Sequence, residues 1–172
     1  MTNDIYSNST PLHLAASNNH RHCVKVLVET YGAVINARNK HDFTAIHLAA
    51  KRGSVDVIKT LTSYNECDIT ATCYQGCNAL HITSFAGHVS CIHELMKLGL
   101  DIEAVTANSD RLAPLHLAAL MNHKDCVYTL IEYFSASINA KSKTGATPLT
   151  CASSAKNIDV VKLLTSCVLS VI

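Results

Sequence analysis

The sequence predicts an all-α solenoid, in which short helix pairs stack in a single row. Two observations predict this fold class: a seven-residue segment occurs five times, and an apolar stripe with helical spacing follows each copy. The copies begin at residues 10, 44, 78, 113 and 147, so the period is 34 or 35 residues. A fixed period of this length is typical of repeat proteins, whose units bury their apolar faces against their neighbours.

The first helix of each unit is predicted from the repeated segment, called the box below. Its first copy, residues 10–16, reads Thr-Pro-Leu-His-Leu-Ala-Ala. All three prolines of the chain, Pro11, Pro114 and Pro148, take the second position of a box. Proline has a fixed φ and lacks an N–H group, which suits the first turn of a helix. We therefore expect a helix to begin at the second box residue.

The second helix is predicted from an apolar set about seven residues downstream of each box, such as Val57, Ile58 and Leu61. Positions i, i+1 and i+4 lie on one face of a helix, so each unit is predicted to hold two short antiparallel helices. An alternating run such as residues 34–37, followed by a polar tip, indicates an extended hairpin between units.

These residues resemble the ankyrin repeat. The resemblance is carried by the box, the Gly87-His88 turn, the run at residues 98–102 and the tip at residues 144–149, and it covers roughly residues 10–172. It implies a single domain over residues 1–172, with a lead-in at 1–9 and repeats at about 10–43, 44–77, 78–112, 113–146 and 147–172. The tetratricopeptide repeat has a similar period but requires a tryptophan, which this chain lacks.

Two departures from the family pattern lead to further predictions. One extra residue per unit, at Tyr31, Asn65 and Phe134, predicts longer ends for the second helices of units one, two and four. Unit three instead lengthens its tip through residues 107–111, so this tip is expected to project furthest. Insertions in the loops of a solenoid often add binding surface.

Composition limits the possible partners. A formal net charge of +1 gives no global field that would attract nucleic acid or an anionic membrane. The basic residues of the N-terminal half are diluted by acidic neighbours and accompanied by no aromatic ladder, which argues against nucleic acid. No apolar run approaches the length of a membrane span, and residues 1–4 do not resemble a secretory signal. We expect a cytoplasmic protein that does not insert directly into membranes.

Four histidines, at positions 13, 47, 81 and 116, recur with the box. Catalytic histidines have no reason to recur once per unit, so their periodicity indicates a structural role. The family resemblance implies that each one hydrogen-bonds near the box threonine and ties adjacent loops together. Thr150 replaces the histidine in the last unit, which predicts a weaker tie there.

Four of the eight cysteines, Cys23, Cys91, Cys126 and Cys151, occupy positions that hold aliphatic residues in other units, so we expect small buried hydrophobes. Equivalent positions of separate units lie too far apart for disulfides. The exception is a group around the hairpin between units two and three, which comprises Cys67, Cys73, Cys77 and His81. A zinc or redox role for this group is an alternative, although no Cys-x-x-Cys pair supports it.

No catalytic motif is present. The sequence has no glycine-rich phosphate loop, Gly-x-Ser-x-Gly elbow or His-Glu-x-x-His segment, and its carboxylates are scattered singly. We therefore expect a non-enzymatic protein that requires no cofactor or metal.

The predicted function is binding of a partner protein or peptide in the concave groove, which is lined by the tips and the exposed side of each first helix. An apolar centre beside a basic step predicts a partner with an apolar anchor next to an acidic group. Packing against the lengthened tip is the alternative explanation for the apolar members. The candidate binding residues are Lys40, His41, Lys51, Arg52, Tyr74, Phe85, Arg111, Leu120 and Met121.

Further alternatives stay open at this point. The chain ends on an apolar segment, residues 167–172, which predicts self-association or further repeats at that face. The chain is also consistent with the ankyrin region of a larger enzyme, channel or ubiquitin-ligase adaptor. By resemblance, Asn36 and Asn139 stitch neighbouring hairpins together and are conceivable substrates of an asparaginyl hydroxylase.

Overall fold

The computed structural model describes residues 6–170, with the backbone alone for residues 169 and 170. Ten α-helices in this range form five pairs, and no residue of the range is in a β-strand. In chain order the helices are α1 Pro11–Ser17, α2 Arg21–Glu29, α3 Ala45–Arg52, α4 Val55–Thr62, α5 Ala79–Ala86, α6 Val89–Lys97, α7 Pro114–Leu120, α8 Lys124–Glu132, α9 Pro148–Ser154 and α10 Ile158–Ser170.

The helices form two layers. The first helices of the units pack side by side in the order α1, α3, α5, α7 and α9, and the second helices form a parallel row. Each first helix also packs against the second helix of its own unit. One apolar core runs through the stack from Leu12 to Leu164. The predicted solenoid of stacked helix pairs is confirmed.

The first helices begin where the box predicts. In all five units the first helical residue is the second residue of the box, and in three units this residue is proline. The preceding residue has an extended backbone and acts as the N-cap; in α1 the hydroxyl of Thr10 accepts a hydrogen bond from the N–H of His13. Such caps satisfy N–H groups that have no partner within the helix.

The extra residue after the second helix lengthens the closing turn rather than the helix. Helices α2, α4 and α8, whose units carry the insertion, have nine, eight and nine residues, and α6, whose unit lacks it, has nine. The insertion allows the N–H of Ala33 to reach the carbonyl of Leu27, and the N–H of Ala136 to reach that of Leu130 (both 2.9 Å). These bonds satisfy carbonyls that a helix end leaves unpaired, so the turn absorbs the added residue.

The expectation of four buried thiols is wrong for Cys23. Cys91 and Cys126 are buried, and Cys151 is half-buried, but Cys23 is exposed. This position faces the preceding unit, and no helix of the described range precedes α1 to cover it. For the same reason Leu14 is 45% exposed, whereas its equivalent Leu48 is 1% exposed.

The apolar C-terminal segment predicted at residues 167–172 lies mostly outside the described residues, because residues 171 and 172 and the side chains of 169 and 170 are not described. Within residues 6–170, no helix combines the length and apolar character needed to cross a membrane.

Candidate partner-binding groove

Four loop tips project between consecutive units, and each is closed by a backbone hydrogen bond. In tip A (residues 39–43), tip B (73–77) and tip D (142–146), the N–H of the first residue bonds the carbonyl of the last, four positions later, at 2.8–3.0 Å. In tip C (106–112) the N–H of Thr106 bonds the carbonyl of Leu112, six positions later, at 3.0 Å. Tip C is therefore two residues longer than the others, as the sequence predicts.

Neighbouring tips are linked along the stack, with one interruption. The N–H of Lys40 bonds the carbonyl of Ser7 (3.0 Å), that of Tyr74 bonds His41 (3.2 Å), and that of Lys143 bonds Asp110 (2.9 Å). Within residues 6–170, no backbone hydrogen bond joins tip B to tip C. The longer tip C thus breaks the ladder of tip-to-tip bonds at the middle of the groove.

A cavity of about 460 Å³ lies at this interruption, between tips B and C and above helix α5. Cavities of this size are typical of small-molecule or side-chain binding sites. Its walls are mainly apolar, with a few polar groups at the rim. The lining residues are His41, Phe43, Lys51, Cys73, Tyr74, Gln75, Cys77, His81, Ile82, Phe85, Ala86, Thr106, Asn108, Leu112 and Leu117.

Four of the nine candidate binding residues line this cavity: His41, Lys51, Tyr74 and Phe85. Tyr74 is 80% exposed and Phe85 is 48% exposed, so both aromatic rings are available to a partner. The other five candidates lie outside the lining; they are Lys40, Arg52, Arg111, Leu120 and Met121.

Sequence reasoning missed the floor of the cavity. Ile82 and Leu117 take the box position of Leu48, which indicated core, yet both line the cavity. Phe43 and Leu112, the last residues of tips A and C, also contribute. The available signal was the insertion in tip C, which contributes Thr106, Asn108 and Leu112 to the cavity lining.

The basic residues beside the cavity differ in their hydrogen bonds and ion pairs. Arg38 donates a hydrogen bond to the carbonyl of Thr72 (2.8 Å) and lies 3.9 Å from Asp42, so it links tips A and B. Lys51 and Arg52 are exposed at the end of α3, and no ion pair within residues 6–170 involves either of them. These two cations remain available to an acidic group.

The box histidines have the structural role that the resemblance implies. In unit one, the N–H of Thr10 donates to Nδ1 of His13 (3.1 Å), and Nε2 of His13 donates to the carbonyl of Phe43 (2.8 Å). His47 makes the same pair of contacts, with Thr44 and with the carbonyl of Ala71 (2.8 Å). Each imidazole thereby ties a helix start to the loop that follows its unit.

His81 departs from this arrangement because its N-cap is asparagine. The Oδ1 atom of Asn78 accepts from the N–H groups of Leu80 and His81, so it is an acceptor. It lies 2.7 Å from Nδ1 of His81. The N–H of Asn78 also points at Nδ1 of His81 (3.4 Å), so this ring nitrogen lies between a donor and an acceptor, whereas in units one and two the threonine hydroxyl can donate to Nδ1.

The other ring nitrogen of His81, Nε2, is buried and has no close hydrogen-bond partner among the described residues, although the carbonyls of Ala104 and Leu112 face the ring. Burial lowers the pKa of His81 to about 4, so the ring is neutral at neutral pH. The histidine of unit three is therefore held less tightly at the groove than those of units one and two.

The four side chains considered as a zinc or redox group do not come together as one site. Cys67 packs against the apolar core, and burial raises its pKa to about 11. Cys73 and Cys77 both line the cavity and contact each other. Among residues 6–170, no three or more His, Cys, Asp or Glu side chains are placed to hold a metal ion. Only the pair in tip B remains as a chemically distinct feature.

Asn36 has the stitching role that the resemblance implies. Its Nδ2 donates to the carbonyl of Glu66 (2.5 Å), and its Oδ1 accepts from the N–H of Asp68 (2.9 Å). In the equivalent position of unit three, Glu103 accepts from the N–H of Ser137 (2.6 Å). Modification of Asn36 or Asn139 stays a prediction.

Comparison with known proteins agrees with this architecture. A family model described as ankyrin repeats (3 copies) matches residues 1–73, 32–106 and 80–170. A probable E3 ubiquitin-protein ligase, XBOS32, of Oryza sativa subsp. japonica is 31% identical over 168 residues, covering 81% of this chain and 34% of that protein. The B-cell lymphoma 3 protein homolog of Mus musculus is 31% identical over 166 residues, covering 94% and 36%.

A third relative is the nuclear factor NF-kappa-B p105 subunit of Gallus gallus, 30% identical over 151 residues, covering 87% of this chain and 15% of that protein. The chain thus spans about a third or less of the length of these curated relatives.

Proposed function

We propose that this chain, which belongs to the ankyrin-repeat family, binds a partner protein through the cavity between tips B and C. Ankyrin repeats are protein-interaction modules, and the proposal concerns where this one binds and what it recognises. The observation that carries the proposal is the mainly apolar cavity of about 460 Å³ at the break in the tip ladder. The exposed rings of Tyr74 and Phe85 at its rim are of the kind that dominates binding energy at interfaces.

The chemistry of the cavity favours a peptide segment with an apolar side chain followed by a carboxylate. The apolar side chain would fill the space over Ile82 and Leu117. Lys51, at the edge of the cavity, would meet the carboxylate, with Arg52 one residue further along the chain. Charge at the rim of an interface mainly sets specificity and association rate. We expect the protein to act in the cytoplasm, where its eight free cysteines stay reduced.

A second proposal is that the chain serves as the substrate-recruiting part of a larger ubiquitin ligase. It is favoured by the likeness to the rice protein named as a probable E3 ligase. In this case a protein captured in the groove becomes ubiquitylated when the complete protein is supplied with activating and conjugating enzymes. Capture without ubiquitin transfer would support the interaction module alone.

A peptide-display selection followed by titration of the enriched peptides tests the groove. Phe85→Ala should weaken binding tenfold or more, about 1.4 kcal/mol, and Lys51→Glu should select against acidic peptides. Tyr128→Ala is the matched control, because Tyr128 is 47% exposed but lies on α8, away from the cavity. All three variants should keep their melting temperature, since the changed side chains are substantially exposed. Equal weakening by Tyr128→Ala, or a large loss of stability in Phe85→Ala, would contradict the proposal.

A further inference from the structure

The two cysteines of tip B are held opposite each other by the backbone. The N–H of Cys73 donates to the carbonyl of Cys77 at 3.0 Å, which closes the tip. Cys73 and Cys77 thus stand at the two ends of one five-residue tip, and the bond between their backbones keeps the two residues close. A disulfide requires Cα atoms about 4.4–6.8 Å apart.

The side chains of the pair lie close enough to interact, and both line the same cavity in the groove. Cys73 is buried at 8% exposure and Cys77 is half-buried. A small reagent can therefore reach the pair from the cavity.

The pair is also distinguished from the other buried thiols by its electrostatics. Donation from Cys77, together with the nearby backbone N–H groups, lowers the pKa of Cys73 below that of an ordinary cysteine. In contrast, burial raises the pKa of Cys67 and of Cys91 to about 11, and that of Cys126 to about 12. Thiolate is the reactive form of cysteine.

We propose that Cys73 and Cys77 form a redox-modification site, in which hydrogen peroxide converts the two thiols into a disulfide that bridges tip B. The Sγ atom of Cys73 attacks the O–O bond, which breaks, and a sulfenic acid forms while the other oxygen leaves as hydroxide and takes a proton from solvent to give water. The Sγ atom of Cys77 then attacks the sulfenic sulfur. The S–S bond forms, the S–O bond breaks, and the departing hydroxide takes the proton of Cys77 as a second water.

This modification would act on the groove, because tip B supplies part of the cavity wall. A disulfide between these two wall residues would hold their side chains together and change the shape of the cavity. The chemistry itself requires no partner, so its failure and a failure of the proposed binding function are separate outcomes.

Limited oxidation of the complete chain with hydrogen peroxide tests the site. After free thiols are blocked, chymotrypsin cleaves after Tyr74 and separates Cys73 from Cys77. If the disulfide forms, the two fragments stay joined until a reductant is added. The rate should fall as the pH is lowered, because the thiolate is the reactive form of cysteine.

Two variants complete the test. In Cys77→Ser the sulfenic acid of Cys73 has no resolving thiol, so dimedone should trap it, whereas the wild type should give little adduct. Cys67→Ser is the matched control and should keep the disulfide. The proposal is overturned if Cys73 and Cys77 both remain alkylatable in the wild type after the exposed Cys23 has been oxidised, or if Cys73 instead pairs with Cys67 or with another chain.

Discussion

Units two and three have equivalent boxes, but the histidines of these boxes are hydrogen-bonded differently. His47 and His81 are both buried, and burial lowers the pKa of each to about 4. Yet His47 bonds its N-cap with one ring nitrogen and the carbonyl of Ala71 with the other, while Nε2 of His81 has no partner. In unit two both ring nitrogens of the box histidine are hydrogen-bonded. In unit three, among the described residues, one ring nitrogen has no close partner, the tip has no backbone hydrogen bond to tip B, and the cavity lies alongside.

The difference shows how a repeat becomes specialised. Within residues 6–170, tip C is two residues longer and has no backbone hydrogen bond to tip B, and at the N-cap Oδ1 of Asn78 takes the place beside the imidazole that the hydroxyl of Thr44 has in unit two. Both changes lie within one unit, and the core below them stays continuous. A solenoid tolerates such local loss because each unit is stabilised by its own neighbours.

The largest expected effect is loss of stability in acid. A histidine whose pKa falls from 6.5 unfolded to about 4 folded takes up a proton on unfolding, so its contribution is complete above pH 6.5 and is lost as pH falls towards 4. The loss is on the order of 3 kcal/mol for each of His47 and His81. Urea unfolding at pH 7, 5.5 and 4 measures it. His81→Thr, the residue that unit five has at Thr150, should flatten the profile, and an unchanged profile would contradict the assignment.

An intermediate effect is expected from glycine substitutions in matched tips. Gly76 in tip B and Gly145 in tip D have φ of +72° and +81°, so alanine is strained at both. At Gly76 the added methyl would also lie 2.2 Å from the nitrogen of Ala107, whereas at Gly145 nothing lies within 4 Å. Gly76→Ala should cost about 2 kcal/mol more than Gly145→Ala, by chemical unfolding. Equal losses would mean that tips B and C do not pack as described.

The smallest effect is expected from exchanging the N-caps. Asn78→Thr replaces the amide oxygen beside Nδ1 of His81 by a hydroxyl that can donate to it, as in units one and two, and should gain about 1 kcal/mol. Thr44→Asn should lose a similar amount in unit two. Chemical unfolding measures both changes, and the ¹⁵N chemical shifts of the imidazoles report whether the tautomer changes with them. A loss of stability in Asn78→Thr, or a gain in Thr44→Asn, would contradict this account.

Much of this architecture could be predicted from the sequence, because the same pattern of box and apolar residues occurs in all five units. The helix starts, the tie made by His47 and the added length of tip C all follow from positions within the repeat. The exposure of Cys23 could not be predicted from its position alone, since that position is buried wherever a preceding unit covers it. That Ile82 and Leu117 line the cavity could not be predicted either, because it depends on what the neighbouring units place beside them.

The sequence by itself determined the fold and the period, because the spacing of apolar residues, prolines and N-caps acts locally. The tertiary structure alone decided which cysteines are buried, which tips are joined and which imidazole lacks a partner. These properties depend on what the neighbouring unit places against each residue, and a position within the repeat does not contain that information. The cavity exists because two neighbouring tips of unequal length meet.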